Sequence, residues 1–394
     1  MKPHVYGLAG LAIALLQPAL ALAVEPQAVA TRLRTVFAVQ GLDFAYAGAT
    51  ASGDDVTLTG VTVAPAGKPE RVTIGDVTLQ DVSEEDDGDF LIGALELPKY
   101  AYAQGPVDIA LEGVSLTGWL LPSPQSTDPL AATGYFDTLE IAGIAATAAG
   151  KPFFQVKNLS YELTREDNGS AVEFTGAAES FSGDLSAAGD PQTLAMATAL
   201  GLAKPSGSFE TSGGWSIADG ALKLDQFDVA LDDAGTLGIT FGLTGYTAEL
   251  AKTLRDMQAK MANASEEEKS AQALAFLGVT QQLNFSGASI RYDDDGLTER
   301  GLNLAGGMQN MKRSDFAGLA SMLLPGYLGQ YLSPEFAAKV TGEVVKFINE
   351  PKSLEIVAAP TQPIPFAVIG AGAMMAPQGL PETLGVTVTA NEAE

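Results

Sequence analysis

Val56-Thr57-Leu58-Thr59-Gly60-Val61-Thr62-Val63 places an apolar residue at every second position on either side of a glycine. Alternation of this period buries one face of a β-strand and leaves the other in water. The pattern recurs in Val72/Ile74, Val77/Leu79, Val107/Ile109/Leu111, Leu222/Leu224 and Leu237/Ile239/Phe241/Leu243. From Leu42 to about Gly245 the chain therefore reads as strand after strand. Gly53-Asp54-Asp55, Asp86-Asp87-Gly88, Asp167-Asn168-Gly169, Asp232-Asp233-Ala234-Gly235 and Asp293-Asp294-Asp295-Gly296 fall between apolar segments. Asp, Asn and Gly tolerate the positive φ of tight turns, so hairpins and antiparallel pairing are expected.

An internal repeat lies inside this region. Leu58-Thr59-Gly60-Val61 is followed by Gly67-Lys68-Pro69, and Ile141-Ala142-Gly143-Ile144 by Gly150-Lys151-Pro152. With one residue deleted, Val72, Ile74, Val77 and Leu79 align with Phe154, Val156, Leu159 and Tyr161. Leu116-Thr117-Gly118 echoes the opening. Duplicated β-units are expected over about 42–121 and 133–245, joined by the Pro-rich stretch Pro122–Pro129.

Helical periodicity flanks the strands. Val29, Leu33, Val36 and Phe37 share one face of a helix over Pro26–Gln40. Asp190-Pro191 starts a short helix through Leu200. From Thr247, Leu250, Leu254, Met257 and Met261 recur at helical spacing, and Ser265-Glu266-Glu267-Glu268 opens a second helix through Leu277. Strands are expected at Leu283–Phe285 and Ile290–Tyr292, helices over Ser314–Leu324 and Ser333–Ile348, and strands at Leu354–Val357, Ile364–Ile369 and Leu384–Val388. The expected class is mainly β: a large curved antiparallel sheet or sandwich of repeated units, an N-terminal helix, and several helices in the C-terminal third. The expected division is 1–23, 24–245 and 246–394.

Met1–Ala23 reads as a secretory signal peptide. Lys2 and His4 are basic, Gly7–Leu16 is apolar, and Ala21-Leu22-Ala23 supplies the small residues of a cleavage site. The apolar run is too short to span a bilayer. The expected product is an exported, periplasmic or secreted chain without an anchor. It would lack His and Cys, because His4 is the only His and there is no Cys. Without imidazole or thiolate, Ser-His-Asp and Cys-His catalysis and the usual zinc, copper, haem and iron–sulfur ligands are excluded. The 48 Asp+Glu against 22 Lys+Arg, a net charge of −26, argue against nucleic acid or an anionic surface as partner.

Local motifs nominate no catalytic residue, metal ligand or cofactor. Gly370-Ala371-Gly372-Ala373-Met374-Met375-Ala376 imitates a dinucleotide-binding loop, but Pro377 and the few residues left preclude a βαβ unit. A packed small-residue turn is expected there. Glu84-Glu85-Asp86-Asp87-Gly88-Asp89 and Asp293-Asp294-Asp295 lack the spacing of a calcium loop and read as hairpin tips. No carboxylate pair stands out for glycoside hydrolysis, and Trp119 and Trp215, the two tryptophans, read as core. No Ser-x-x-Lys stands out at a helix start. Leu319, Met322, Leu323, Leu324, Tyr327, Leu328, Tyr331 and Leu332 form an apolar helical stretch that lines a groove, caps the sheet or packs in a core.

The amphipathic helix, then Gln40-Gly41-Leu42-Asp43-Phe44-Ala45-Tyr46, then repeated Val-Thr-Leu-Thr-Gly-Val units, resembles envelope proteins of Gram-negative, especially alphaproteobacterial, genomes. Gly220–Gly245 and Leu283–Leu297 are similar to the β-repeats of the AsmA-like superfamily and its smaller relatives of the domain-of-unknown-function 945 type. The resemblance implies a long curved sheet and a part in moving or accommodating lipid between membranes. It transfers no functional residue. The leading expectation is a non-catalytic envelope protein holding lipid or another apolar ligand on a one-sided sheet. The alternatives are a structural component binding another envelope protein, and an unrecognised hydrolase.

Overall fold

The computed structural model describes residues 24–392 except 105–106, 127, 129, 131–133, 149, 167–168, 189, 263–277 and 280. The sequence reading of 1–23 and of a helix over Ser265–Leu277 lies outside the described residues. Among the described residues, sixteen strands form one antiparallel sheet that does not close on itself, so of sheet and sandwich the single sheet is what forms. The strands are β1 (Leu42–Ala45), β2 (Gly48–Ser52), β3 (Asp55–Pro65), β4 (Val72–Glu84), β5 (Phe90–Gln104), β6 (Val107–Leu121), β7 (Thr138–Ala148), β8 (Lys151–Arg165), β9 (Ala171–Gly183), β10 (Ser206–Ser216), β11 (Ala221–Leu231), β12 (Gly235–Thr244), β13 (Asn284–Asp294), β14 (Ser353–Ala358), β15 (Ile364–Pro365) and β16 (Val386–Ala390). Apart from β2 on β3 and β15 on β13, each strand pairs with its neighbour in that order. Pairing between β6 and β7 and between β12 and β13 carries the sheet across both expected unit boundaries.

The repeat maps onto two equivalent hairpins, β3–β4 and β7–β8. Gly67 and Gly150 sit at their tips with φ of 74° and 75°, a conformation that favours glycine. Elsewhere the ladders are interrupted along a line. Pro98, Gly113, Ala142, Asn158 and Glu179 are left out of consecutive pairings on β5 to β9. Gly113 (φ 60°) and Asn158 (φ 49°) are left-handed there. Across this line the apolar spacing changes from two to three, as at Ile141/Ile144 and Val156/Leu159. A left-handed residue in a strand interrupts alternation and bends the strand.

Helix α1 (Pro26–Val39) lies on β1 to β6. Its Val29, Ala30 and Leu33 meet Val56, Leu58, Leu79, Val82, Ile92 and Leu121 in the larger core. Arg32 holds the helix to the sheet: Nη1 donates to the carbonyls of Gly88 (3.2 Å) and Leu121 (3.4 Å), and its guanidinium lies over Phe90. Helix α2 (Pro191–Ala199) starts as expected, with Asp190 accepting from the N–H groups of Gln192 and Thr193. Helix α3 (Ala248–Ala262) brings Ala251 to a second core with Val172, Trp215 and Leu130. Both tryptophans pack as expected, and Trp215 Nε1 donates to the Tyr246 carbonyl at 2.7 Å.

Several C-terminal expectations are corrected. One strand, β13, runs from Asn284 to Asp294 and takes in both expected strands except Leu283. Asp293-Asp294-Asp295-Gly296 is not a hairpin tip; it leads from β13 into α4 (Leu297–Met308), an unanticipated helix. Helices α5 (Arg313–Leu328) and α6 (Pro334–Asn349) outrun their expected ends, and Ser333 caps α6 by accepting from Phe336 N–H. The expected strand Ile364–Ile369 survives only as β15. The glycine-rich run is not a packed turn but belongs to helix α7 (Phe366–Met375). A short apolar run without alternation fits helix and strand equally, and here the helix wins. The short α8 (Leu380–Thr383) precedes β16, which starts two residues later than expected.

A Cβ on Gly113 would lie 2.9 Å from the Ala142 Cβ at a φ of 60°, whereas one on Gly143 would meet nothing closer than 3.9 Å. Gly113→Val should therefore lower the unfolding free energy by at least about 2 kcal/mol. Gly143→Ala should change it by less than about 0.5 kcal/mol. Urea titration followed by circular dichroism measures both.

Candidate functional site

Directly opposed residues in a ladder point to the same side of the sheet. One row of opposed residues runs Leu97, Val114, Ile141, Leu159, Ala178, Phe209, Val229, Leu237, Tyr292, Leu354, Ala390. Every member is apolar or aromatic, from β5 to β16. Two residues along, Leu95, Leu116, Leu139, Tyr161, Gly176, Thr211 and Phe227 form a parallel row, which β4, β3 and β2 extend with Leu79, Val56 and Ala51. At the C-terminal end, Ile239, Ile290, Ile356 and Val388 make a further row on the same side.

The other side has opposite chemistry. Glu140, Ser160, Ala177, Glu210, Asp228, Gly238, Arg291, Glu355 and Thr389 form one of its rows. Hydroxyls pair across strands there, Thr117 with Thr138 at 2.6 Å and Thr240 with Ser289 at 2.7 Å. A shallow hollow of about 270 Å³ on this side is lined by Glu140, Glu162, Glu210 and their polar neighbours. Gln226 Nε2 already bridges Glu210 and Asp228, at 3.1 and 2.7 Å. The hollow is open and offers no enclosed binding chemistry.

Cover on the apolar face is uneven. Helix α1 seals its N-terminal part. Leu130 and α3 seal one flank over Trp215, Leu163 and Leu222. Asp89 anchors the loop that carries Leu130: 2% exposed, it accepts from Ser123 N–H (2.5 Å) and Ser126 Oγ (2.6 Å). Asp128 in the same loop pairs with Arg165 at 2.6 Å. Phe347 of α6 packs its ring edge on Tyr292. Between these covers the face is open, and Leu237, Ile290 and Ile356 are 40%, 49% and 44% exposed. Ile239, Phe241 and Val388 beside them are half-buried. Three strand spacings of roughly 4.8 Å make the Ile239–Val388 row about 14 Å long, close to the ~15 Å hydrocarbon depth of one bilayer leaflet.

The acidic runs considered for calcium do structural work. Glu84–Asp89 is a hairpin tip whose Asp89 faces inward. Among the described residues no group of three or more His, Cys, Asp or Glu is placed to hold a metal ion. The apolar stretch from Leu319 divides. Leu319, Leu324, Leu328 and Leu332 are half-buried, while Met322, Leu323, Tyr327 and Tyr331 are exposed. The sequence nominated none of Leu237, Ile290 and Ile356 as a site. Their alternation was visible; their meeting from distant strands depends on register.

Asp294 secures the turn into α4. Its carboxylate accepts from Gly296 N–H (2.9 Å), Thr298 N–H (2.7 Å) and Tyr292 Oη (2.9 Å). Burial pushes its pKa up, but these hydrogen bonds outweigh burial and hold it below the ordinary 3.8. A carboxyl with a depressed folded pKa adds stability that is present above pH ~4 and is lost as pH falls through the folded value. Asp294→Ala should cost about 1–2 kcal/mol at pH 7 and flatten the acid limb of a stability–pH curve. Denaturant titration between pH 2 and 7 reads both effects.

A family model described as an uncharacterized protein matches residues 228–391, from within β11 to one residue past β16. That stretch contains Leu237, Ile290 and Ile356, the exposed residues of the open apolar face. No curated protein matches the chain.

Proposed function

We propose that this chain is a non-catalytic exported envelope protein that holds a lipid or similar apolar chain along the open part of its sheet. The observation that carries the reading is the apolar row through Ile239, Ile290, Ile356 and Val388, in which Ile290 and Ile356 are exposed beside an exposed Leu237, while α1, α3 and α6 cover other parts of the same face. A solvated one-sided sheet normally turns its polar face to water. Here the apolar face is open as well, at a length that suits an acyl chain. An aliphatic strip without charge or hydrogen-bond donors recognises hydrocarbon rather than a polar substrate. The absence of His and Cys from residues 24–392 supports a binding role over a catalytic one. Export to the periplasm rests on the reading of Met1–Ala23 and on the resemblance to envelope proteins. No helix among the described residues is long and apolar enough to cross a membrane.

Protein purified without detergent from envelope extracts should show lipid adducts by native mass spectrometry and release fatty-acyl lipid into organic solvent. Ile290→Gln/Ile356→Gln should melt within a few degrees of wild type and carry at least tenfold less lipid. A clean apo mass for the wild type, or an equal lipid load on the double variant, would sink the proposal.

A further inference from the structure

Helix α7 leaves the sheet beside the covered flank of the apolar face, where Phe285 is buried. Ile364 of β15 pairs with Phe285 of β13, and the Phe366 ring packs edge-on against Phe285, with centroids 6.3 Å apart. Phe285 stands in the row of Trp215, Leu222 and Leu243, so α7 continues directly from the apolar face. Its sequence, Phe-Ala-Val-Ile-Gly-Ala-Gly-Ala-Met-Met, has no polar side chain, and none of its residues is buried. Val368 is 52% exposed, and Met374 and Met375 are each 86% exposed. No charged residue occurs between Glu355 and Glu382, in a chain of which 18% is charged.

We infer that α7 enters the hydrocarbon layer of a lipid bilayer and holds the chain at its surface. A surface helix serving a protein groove presents one apolar stripe and keeps a polar face for water. This helix is apolar all round, which matches a surrounding that is apolar on every side. At ten residues it suits partial insertion rather than a span. The uncharged stretch around it is the part of a −26 chain that enters an apolar phase at least electrostatic cost. Contact is therefore driven by apolar burial and not by attraction to anionic headgroups. Flexible methionine side chains at the exposed end adapt to disordered acyl chains. The inference deepens the lipid-holding reading by bringing the chain that carries the exposed apolar row to a bilayer surface.

The full-length exported chain is mixed with phosphatidylcholine vesicles and floated on a density gradient at low and high salt. The wild type should rise with the vesicles to the same extent in both, because apolar insertion is not screened. Met374→Lys/Met375→Lys, at positions too exposed to disturb the fold, should reduce the floating fraction tenfold or more while its lipid load stays unchanged. The proposal is overturned if the lysine variant floats like the wild type, or if the wild type floats only on anionic vesicles and is released by salt. It is equally overturned if size-exclusion chromatography shows the methionines joining two copies of the chain without vesicles. The lipid-holding reading stands or falls separately, since Ile290→Gln/Ile356→Gln should float normally and carry at least tenfold less lipid.

Discussion

Register is the constraint on which the rest of the molecule depends. A strand has a side-chain period of two, so a slip of one residue against its neighbour exchanges its two faces. From Leu97 on β5 to Ala390 on β16, each pairing sets an apolar or aromatic residue against another. A single slip, for instance Leu237 moving off Tyr292, would thread the polar row of Glu210 and Arg291 through the apolar face. The hairpins make slippage costly: the left-handed glycines at Gly67 and Gly150 fix where β3–β4 and β7–β8 turn. The left-handed Gly113 and Asn158 then take up the places where the apolar spacing changes to three.

Such a sheet has an apolar face of great length and little to cover it. The chain spends α1, the Asp89-anchored loop, α3 and α6 on separate parts of that face. The best-covered part, beneath Leu33, gathers fully buried Val56, Leu58, Leu79 and Ile92 and is the core a domain of this size needs. The part under Leu237, Ile290 and Ile356 receives no helix among the described residues, although α4 to α7 lie nearby in sequence. Helix α4 is tied elsewhere: its Arg300 donates to the carbonyls of Leu200 and Asp233, at 2.7 and 2.5 Å. The opening therefore arises from where the C-terminal helices are tied.

Much of this was readable in the sequence. Alternation at Val56/Leu58 and Leu237/Ile239/Phe241/Leu243 specified strands, and the repeated Gly-Lys-Pro specified equivalent hairpins. Asp190 and Ser333 announced helix starts and serve as caps. Misreadings arose where one local signal has two outcomes. Asp294 resembles a hairpin residue, yet its carboxylate caps a helix, because the chain beyond Gly296 is helical rather than extended. Ile364–Ile369 looks extended, but after Pro365 the chain coils into α7. The candidate site was not readable at all, since Ile239, Ile290 and Ile356 lie on three strands and become neighbours only through pairing. The absence of charge between Glu355 and Glu382, in a chain so rich in charge elsewhere, is visible in the sequence, but it marks α7 rather than that row.

The acidic surplus then acquires a physical role that needs no ligand. A molecule with an open aliphatic row and a bare apolar helix is prone to stick to its own kind. Free sheet edges add to the hazard, because unpaired backbone groups recruit further strands. Here Glu343 of α6 reaches β16 and accepts from the Ala390 N–H at 2.8 Å, which occupies part of that edge. Across the sheet, Glu140, Glu210 and Glu355 line the face that meets water. A net charge of −26 makes copies of the chain repel at long range, while leaving short-range contact with an uncharged hydrocarbon phase unopposed. The acidic surplus is therefore best understood as what keeps copies of a greasy surface apart.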